Sequence, residues 1–186
     1  VGSEMCIRDR SPPLRTLSNQ IRLWEALSEG TINNVASDEV SYSAKAKALG
    51  LPSFANVANG CTGIEARLPV LYTLGVVQNK ITLERFVELF STWPAEIFGM
   101  GDRKGKLAVG YDADITIIDP KTYKVMTPKS DYGDIGYNNY SGMNLTGWCI
   151  TTILRGNIVV HNNNFCGKKG QGKYIARSKS KRPVLI

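Results

Sequence analysis

The chain has 186 residues and is 42% hydrophobic, enough for one ordinary core or for parts of two. Its net charge of +7 is confined to one end: seven of the 23 Lys and Arg lie in residues 168–182, where no acid occurs, and the other 16 are matched by 16 acids. With no aromatic or glycine motif of a binding module beside it, that basic stretch argues against nucleic acid and reads as a solvated tail or a contact to a neighbouring subunit.

In chain order, residues 1–10 (VGSEMCIRDR) do not match the residues after them. They look like translated sequencing-adapter text and are expected to be non-native, with the true protein continuing upstream. Ser11-Pro12-Pro13-Leu14-Arg15 is a loop, because paired prolines remove donors and disfavour helix. Ser18 then reads as an N-cap; Ile21, Trp24 and Leu27 line one helical face, and Gly30 ends the helix. Residues 31–37 are short and partly apolar and predict a buried strand that delivers Asp38 at its C-terminal end, a loop–helix–strand unit of an α/β barrel. A long loop runs from there to Gly60, with a short helical piece at residues 44–49. Ile64, Leu68 and Leu71 mark a helix interrupted only by Pro69. Thr82 caps another, with Leu83, Phe86, Val87 and Phe90 as its apolar stripe, and Trp93-Pro94 starts a short one ending at Gly99.

Residues 103–120 (RKGKLAVGYDADITIIDP) predict two short strands around a turn: Leu107 and Val109 alternate, Gly110 and Tyr111 break the run, and Ile115 and Ile117 alternate up to an Asp119-Pro120 stop. Residues 123–126 can pair as a strand, and residues 131–142 are a loop rich in Gly, Asn and Tyr. Residues 150–154 and 157–161 are strands joined at Arg155-Gly156-Asn157, and Asn162-Asn163-Asn164 is a further turn. No apolar run approaches the ~20 residues of a membrane span, and no signal-peptide pattern opens the chain. The four cysteines, Cys6, Cys61, Cys149 and Cys166, fit neither a disulfide framework nor a CxxC zinc site and read as reduced thiols in a cytoplasmic protein.

The string RKGKLAVGYDADITIIDP, with ITLERFVELFSTWPAEIFGM before it and SGMNLTGWCITTILRGNIVVHNNNFCGKKGQGKYIAR after it, resembles the C-terminal part of a dihydropyrimidinase or D-hydantoinase of the amidohydrolase superfamily. The resemblance runs over residues 11–177 and covers less than half of such an enzyme. It implies an α/β fold: residues 11–100 as the C-terminal part of a TIM-like barrel, residues 101–167 as part of a small β-sandwich, and residues 168–186 as a basic tail. In that family the tail packs on a neighbouring subunit of a homotetramer, and Tyr174 and Ile175 would be the anchors that dock.

Asp38 is the sharpest candidate for chemistry. By local pattern alone it is an Asp that caps the following turn. The resemblance gives it another role, since SPPLR, a helix and a strand ending in Ser-Asp match the family without a gap between Ser11 and Asp38. There the Asp is a metal ligand and the catalytic acid/base, taking a proton from the attacking water and passing it to the leaving amide nitrogen. The family continues with His-Cys-Pro where this chain has Glu39-Val40-Ser41, a departure that marks a divergent member and bears on substrate identity. Ser11 and Asn59 are ordinary loop residues by pattern. By resemblance they bind the cyclic amide or imide largely through backbone groups, which suits a ring with one donor beside one acceptor.

A hydrolytic metal centre needs about three or more protein ligands. The one histidine, His161, lies in a strand-and-turn context and reads as an exposed residue of the sheet. The resemblance implies two Zn2+ ions whose remaining ligands, four histidines (two in a His-x-His pair) and a carboxylated lysine, would lie upstream. The expected function is therefore metal-dependent hydrolytic opening of a dihydropyrimidine or hydantoin ring by the intact parent, with this piece inactive alone. The alternatives are another cyclic amidase such as an allantoinase or dihydroorotase, against which SPPLR and GKKGQGKYI speak, and a non-catalytic dihydropyrimidinase-like assembly or adaptor protein.

Overall fold

The computed structural model describes residues 8–128 and 135–180; helices occupy the first half and one antiparallel sheet the second. Parts of the N-terminal segment, of the loop at 131–142 and of the basic tail, and with them Cys6, lie outside the described residues.

Helix α1 spans Leu17–Glu29 and is preceded by Thr16, not Ser18; the Thr16 and Ser18 hydroxyls bond each other instead of capping. Gly30, at φ 87, ends it as expected, and Ile32 N–H closes back on Ala26 O at 3.0 Å. Helix α2 is the short Ala44–Ala48, capped by Ser43 Oγ, which accepts from Ala46 N–H. Helix α3, Ile64–Leu71, carries Pro69 inside it without ending there and runs on into a π-helical turn, Tyr72–Val77. Its buried residues are Ala66, Pro69 and Leu71, while Ile64 faces out. Helix α4, Leu83–Val87, starts where Thr82 Oγ1 accepts from Arg85 N–H at 3.1 Å. Its inward face is Phe86 and, in the π-helical turn Glu88–Thr92, Leu89; Leu83 and Val87 point outward, so the stripe is rotated from the one expected. Helix α5, Trp93–Ile97, ends before Gly99 as anticipated.

Two expected strands do not form. Residues 31–37 lie in no sheet. A barrel strand is held by ladder bonds to neighbours on both edges. Among the described residues no strand lies beside this segment, and arginines occupy its carbonyls: Arg85 donates to Ile32 O at 2.7 Å and Arg67 to Val35 O at 3.0 Å. The first half of the expected hairpin at 103–120 is likewise a turn-rich loop, with Leu107 and Val109 on the surface. Gly105 and Gly110 take left-handed φ values of 87 and 90, outside the extended region of a regular strand. Lys104 folds the loop on itself by pairing with Asp112 at 2.7 Å and with Asp114. These bonds and charges outweigh the effect of burial, so the lysine is held above its ordinary pKa and both carboxyls below theirs.

The sheet has the order β1-β2-β3-β4, every pair antiparallel. Strand β1, Ile115–Val125, does not stop at Asp119-Pro120. It bulges there, as the Asp119 carboxylate accepts from Lys121 N–H and Thr122 Oγ1, and pairing resumes at Tyr123 opposite Thr146. Strand β2, Asn144–Leu154, turns into β3, Asn157–His161, through Arg155 and Gly156, both at positive φ (47 and 77), the backbone of a type I′ hairpin. Asn162 and Asn163, also left-handed, lead into β4, Asn164–Phe165.

Helix α3 stands between two apolar clusters. One side joins Leu27, Leu71, Ile81, Phe86 and Leu89, with Trp24 and Ile32 against it. The Phe86 ring meets Tyr72 edge-on at 5.6 Å and Phe90 at 5.0 Å, geometries worth about 0.5–1.5 kcal/mol each beyond burial. The other side joins Ala66 to Met126, Leu145 and Trp148 of the sheet region. Helices and sheet are also pinned by polar bonds: Thr73 Oγ1 donates to Thr146 O at 3.1 Å and accepts from Thr146 N–H at 2.9 Å. The described tail folds back on the helices, with Ser178 N–H donating to Gly99 O at 2.9 Å, while Tyr174 stands in solvent.

Candidate active site

The residues singled out in the sequence come together, and the segment just before SPPLR joins them. Ser11 N–H donates to Asn59 Oδ1 at 3.0 Å. The Asn59 amide nitrogen donates to Asp9 Oδ1 at 2.9 Å, with Ser11 Oγ at 3.4 Å. Gly60 N–H donates to Asp9 O at 3.0 Å, so residues 9–11 run beside residues 59–60. Arg10 extends from this seam: its Nη2 meets Asp38 Oδ2 at 3.0 Å, and its Nη1 lies 3.0 Å from Cys61 Sγ. One guanidinium therefore connects the Ser11–Asn59 pair to Asp38.

Asp38 itself is largely exposed, with 64% of its side chain accessible, and its backbone is left-handed at φ 48. That conformation is uncommon outside glycine, though Asp and Asn tolerate it best. Its neighbour holds the segment in place. Glu39 Oε2 accepts from the Gly63 and Ile64 N–H groups at 2.8 and 2.6 Å, at the N-terminus of α3, and Ser41 donates to Oε1. Burial pushes the Glu39 carboxyl up. The bonds from Ser41, Ile64 and Gly63 outweigh it and leave the carboxyl below its ordinary pKa. The glutamate that departs from the resembled pattern thus acts as a helix cap that fixes where Asp38 stands.

Beneath the seam lies Lys47, with no exposed surface, its ammonium donating to Asp9 O at 2.9 Å and to Gly60 O. Lys47, Glu39 and Arg10 are the members of this constellation that reading by residue type misses. In sequence AKAKALG looks like a solvated helix face, Glu39 like a loop acid, and Arg10 falls in the segment set aside. No local pattern distinguishes them; each is recruited by a partner 13 to 51 residues away.

His161 ends β3, exposed, its ring bonded to Thr151 Oγ1 at 3.0 Å and to Asn162 Nδ2 at 3.2 Å, and it takes no part in this cluster. Among the described residues no three His, Cys, Asp or Glu side chains gather closely enough to hold a metal ion. Of the carboxylates at this seam, Asp9 accepts from Asn59 and Glu39 caps α3, while Asp38 faces a guanidinium. The described residues thus fit one corner of a divalent-metal site and not a whole one. Cys61, Cys149 and Cys166 are unpaired thiols, Cys61 buried. Among the described residues no helix is long and apolar enough to cross a membrane.

Comparison with known proteins places the chain in a family. The chain is 39% identical over 170 residues to a D-hydantoinase of Geobacillus stearothermophilus, covering 91% of this chain and 36% of that protein. Among solved structures, a D-hydantoinase from Bacillus sp. AR9 superposes with a TM-score of 0.92 at 39% identity over 95% of this chain. A dihydropyrimidinase from Brevibacillus agri NCHU1002 superposes with a TM-score of 0.92 at 38% identity over 96% of it. The chain spans about two fifths of these relatives, 36–39% of their lengths. Residues 10–159 match the amidohydrolase family, a span that begins at the arginine holding Asp38, and the chain belongs to that family, alongside D-hydantoinases and dihydropyrimidinases.

Proposed function

We propose that this chain is part of a metal-dependent cyclic amidase that opens a dihydropyrimidine or hydantoin ring by hydrolysis. The observation that carries the reading is the pairing of Ser11 with Asn59 on one seam, in a chain similar to D-hydantoinases. A cyclic amide presents an N–H beside a carbonyl, and the seam offers backbone and amide groups of both polarities. Ser11 and Asn59 orient the ring. Asp38 takes the proton of the attacking water and passes it to the ring nitrogen, without which an amide nitrogen is a poor leaving group. Its left-handed backbone supports the reading, because residues in sparsely populated conformations cluster at functional sites.

A divalent metal, two zinc ions by family resemblance, would supply polarisation of the carbonyl, with Asp38 as its ligand from this chain and the others from beyond it. In this reading residues 11–100 are helices and connecting segments of the end of a TIM-like barrel, and the antiparallel sheet is part of a small β-sandwich. The intact protein is a cytoplasmic homotetramer, and the 186-residue chain alone is inactive.

The test is hydrolysis of dihydrouracil and of hydantoin by the intact parent, with Asp38→Asn beside it. Asn tolerates the same backbone, so the variant removes only the charge and the proton acceptor, and kcat should fall at least about 100-fold. Unchanged turnover would remove Asp38 from the chemistry. The isolated chain should neither bind stoichiometric zinc nor turn over dihydrouracil; doing both overturns its dependence on other ligands. One observation favours a second reading: the Arg10 guanidinium at 3.0 Å occupies the Asp38 carboxylate, as suits a dihydropyrimidinase-like assembly protein without activity. An intact protein that self-associates and opens neither ring would decide for it.

A further inference from the structure

Lys47 stands out because a wholly buried ammonium is costly. Taking such an ion out of water is strongly unfavourable, so it persists only where bonds compensate it. Here the acceptors are backbone carbonyls of the two segments that form the seam: Asp9 O, two residues before Ser11, and Gly60 O, next after Asn59. Asp9 O also accepts from Gly60 N–H at 3.0 Å, so the ammonium, the Asp9 carbonyl and Gly60 close a small ring of bonds. The lysine is delivered from a fixed point. It sits on α2, whose start is capped by Ser43 Oγ and whose Ala44 N–H donates to Ile135 O at 3.0 Å.

From this we infer that Lys47 is a positioning residue for the ring-binding pair. It holds the backbone of residues 9–11 against residues 59–60, and so sets the spacing between Ser11 and Asn59. The inference rests on the reading of those two residues as ring-binding. A single ammonium bonded to both segments of the seam fixes their separation more tightly than the Ser11–Asn59 contact, which lies at the surface.

The test uses Lys47→Met, which keeps most of the stem and removes the donors, and Lys47→Arg, which keeps donors. In the 186-residue chain, amide hydrogen exchange is followed at Gly60, bonded to Asp9 O, and at Asn162, bonded to Ile150 O in the sheet. Lys47→Met should accelerate exchange at Gly60 about 10- to 100-fold, the loss of a charge-assisted bond, and leave Asn162 unchanged. Lys47→Arg should restore most of the protection. Unchanged exchange at Gly60, equal acceleration at Asn162, or loss of the fold overturns the assignment and makes Lys47 a residue of the general fold. In the intact parent, Lys47→Met should raise KM for dihydrouracil about tenfold while kcat moves less, since a group that orients the ring acts on ground and transition states alike. A fall in kcat at unchanged KM overturns the role. If the wild-type parent opens no ring, the proposed activity fails while the exchange result still decides whether Lys47 holds the seam.

Discussion

Replacing Arg85 by methionine should cost this chain about 3 kcal/mol of stability, and the structure says where the loss arises. The Arg85 side chain is 11% exposed, and its guanidinium bonds three segments. Nε donates to Leu27 O at 2.7 Å near the end of α1, and Nη2 donates to Ile32 O and Asn33 Oδ1, both at 2.7 Å. The fourth partner, Glu88 at 2.9 Å, is 47% exposed, and such a pair contributes only about 0–1 kcal/mol. Methionine fills much of the stem's volume and donates nothing, so Leu27 O and Ile32 O lose their donor. An unpartnered buried carbonyl costs about 1–3 kcal/mol, and two of them, one partly rehydrated, give the figure above. In a chain of this size the midpoint of thermal unfolding should drop by about 6–12 °C. Urea unfolding followed by tryptophan fluorescence measures it, since Trp24 packs against the same cluster. Arg22→Met is the control: its side chain is 83% exposed, its partner is Glu25, and the change should stay within about 0.5 kcal/mol. A loss below about 1 kcal/mol in Arg85→Met, or an equal loss in the control, would refute the reasoning that carbonyl satisfaction, and not surface charge, holds the segment leading to Asp38.

Three further outcomes are expected. Glu39 caps α3 as a carboxylate held below its ordinary value of 4.5, so its contribution is present above that pH and is lost as pH falls through the lowered folded value. Glu39→Gln should cost about 1 kcal/mol at pH 7, and the gap from wild type should close as acid is added below about pH 4; a gap that widens in acid reverses the sign. A Cβ on Gly147 would sit 2.0 Å from Tyr72 Cδ1 at a φ of 78, so Gly147→Ala should cost about 3 kcal/mol or more in the same urea assay, and a neutral change would mean the ring is not seated there. Asp38→Asn should leave urea stability within about 1 kcal/mol, because the pair with Arg10 is largely exposed, so that its effect on turnover can be read as chemistry.

Much of the organisation is legible before any coordinates. The cap at Thr82, the stop at Gly30 and the Arg155-Gly156 hairpin are decided by neighbours within a few residues, and local chemistry accounts for them. The candidate residues Ser11, Asp38 and Asn59 are likewise visible, through resemblance and not through pattern, and the structure places them on one seam. Residues 31–37 and 107–109 show where local reading fails. Alternating or apolar short runs become strands only when another strand lies alongside, and here arginine side chains and a Lys104 ion pair hold those backbones instead.

By itself, then, the sequence determined the family, several helix ends and the tight turns, because each depends on short-range geometry or on strings long enough to be distinctive. Only the tertiary structure decided that Arg10 joins Asp38 to the Ser11–Asn59 pair, that Glu39 caps α3 and that Lys47 is buried beneath the seam. Those bonds span 13 to 48 residues along the chain, and one of them buries a charge that any local pattern would leave in solvent. The burial of the Lys47 ammonium against two backbone carbonyls is a property of packing that no single stretch of sequence carries.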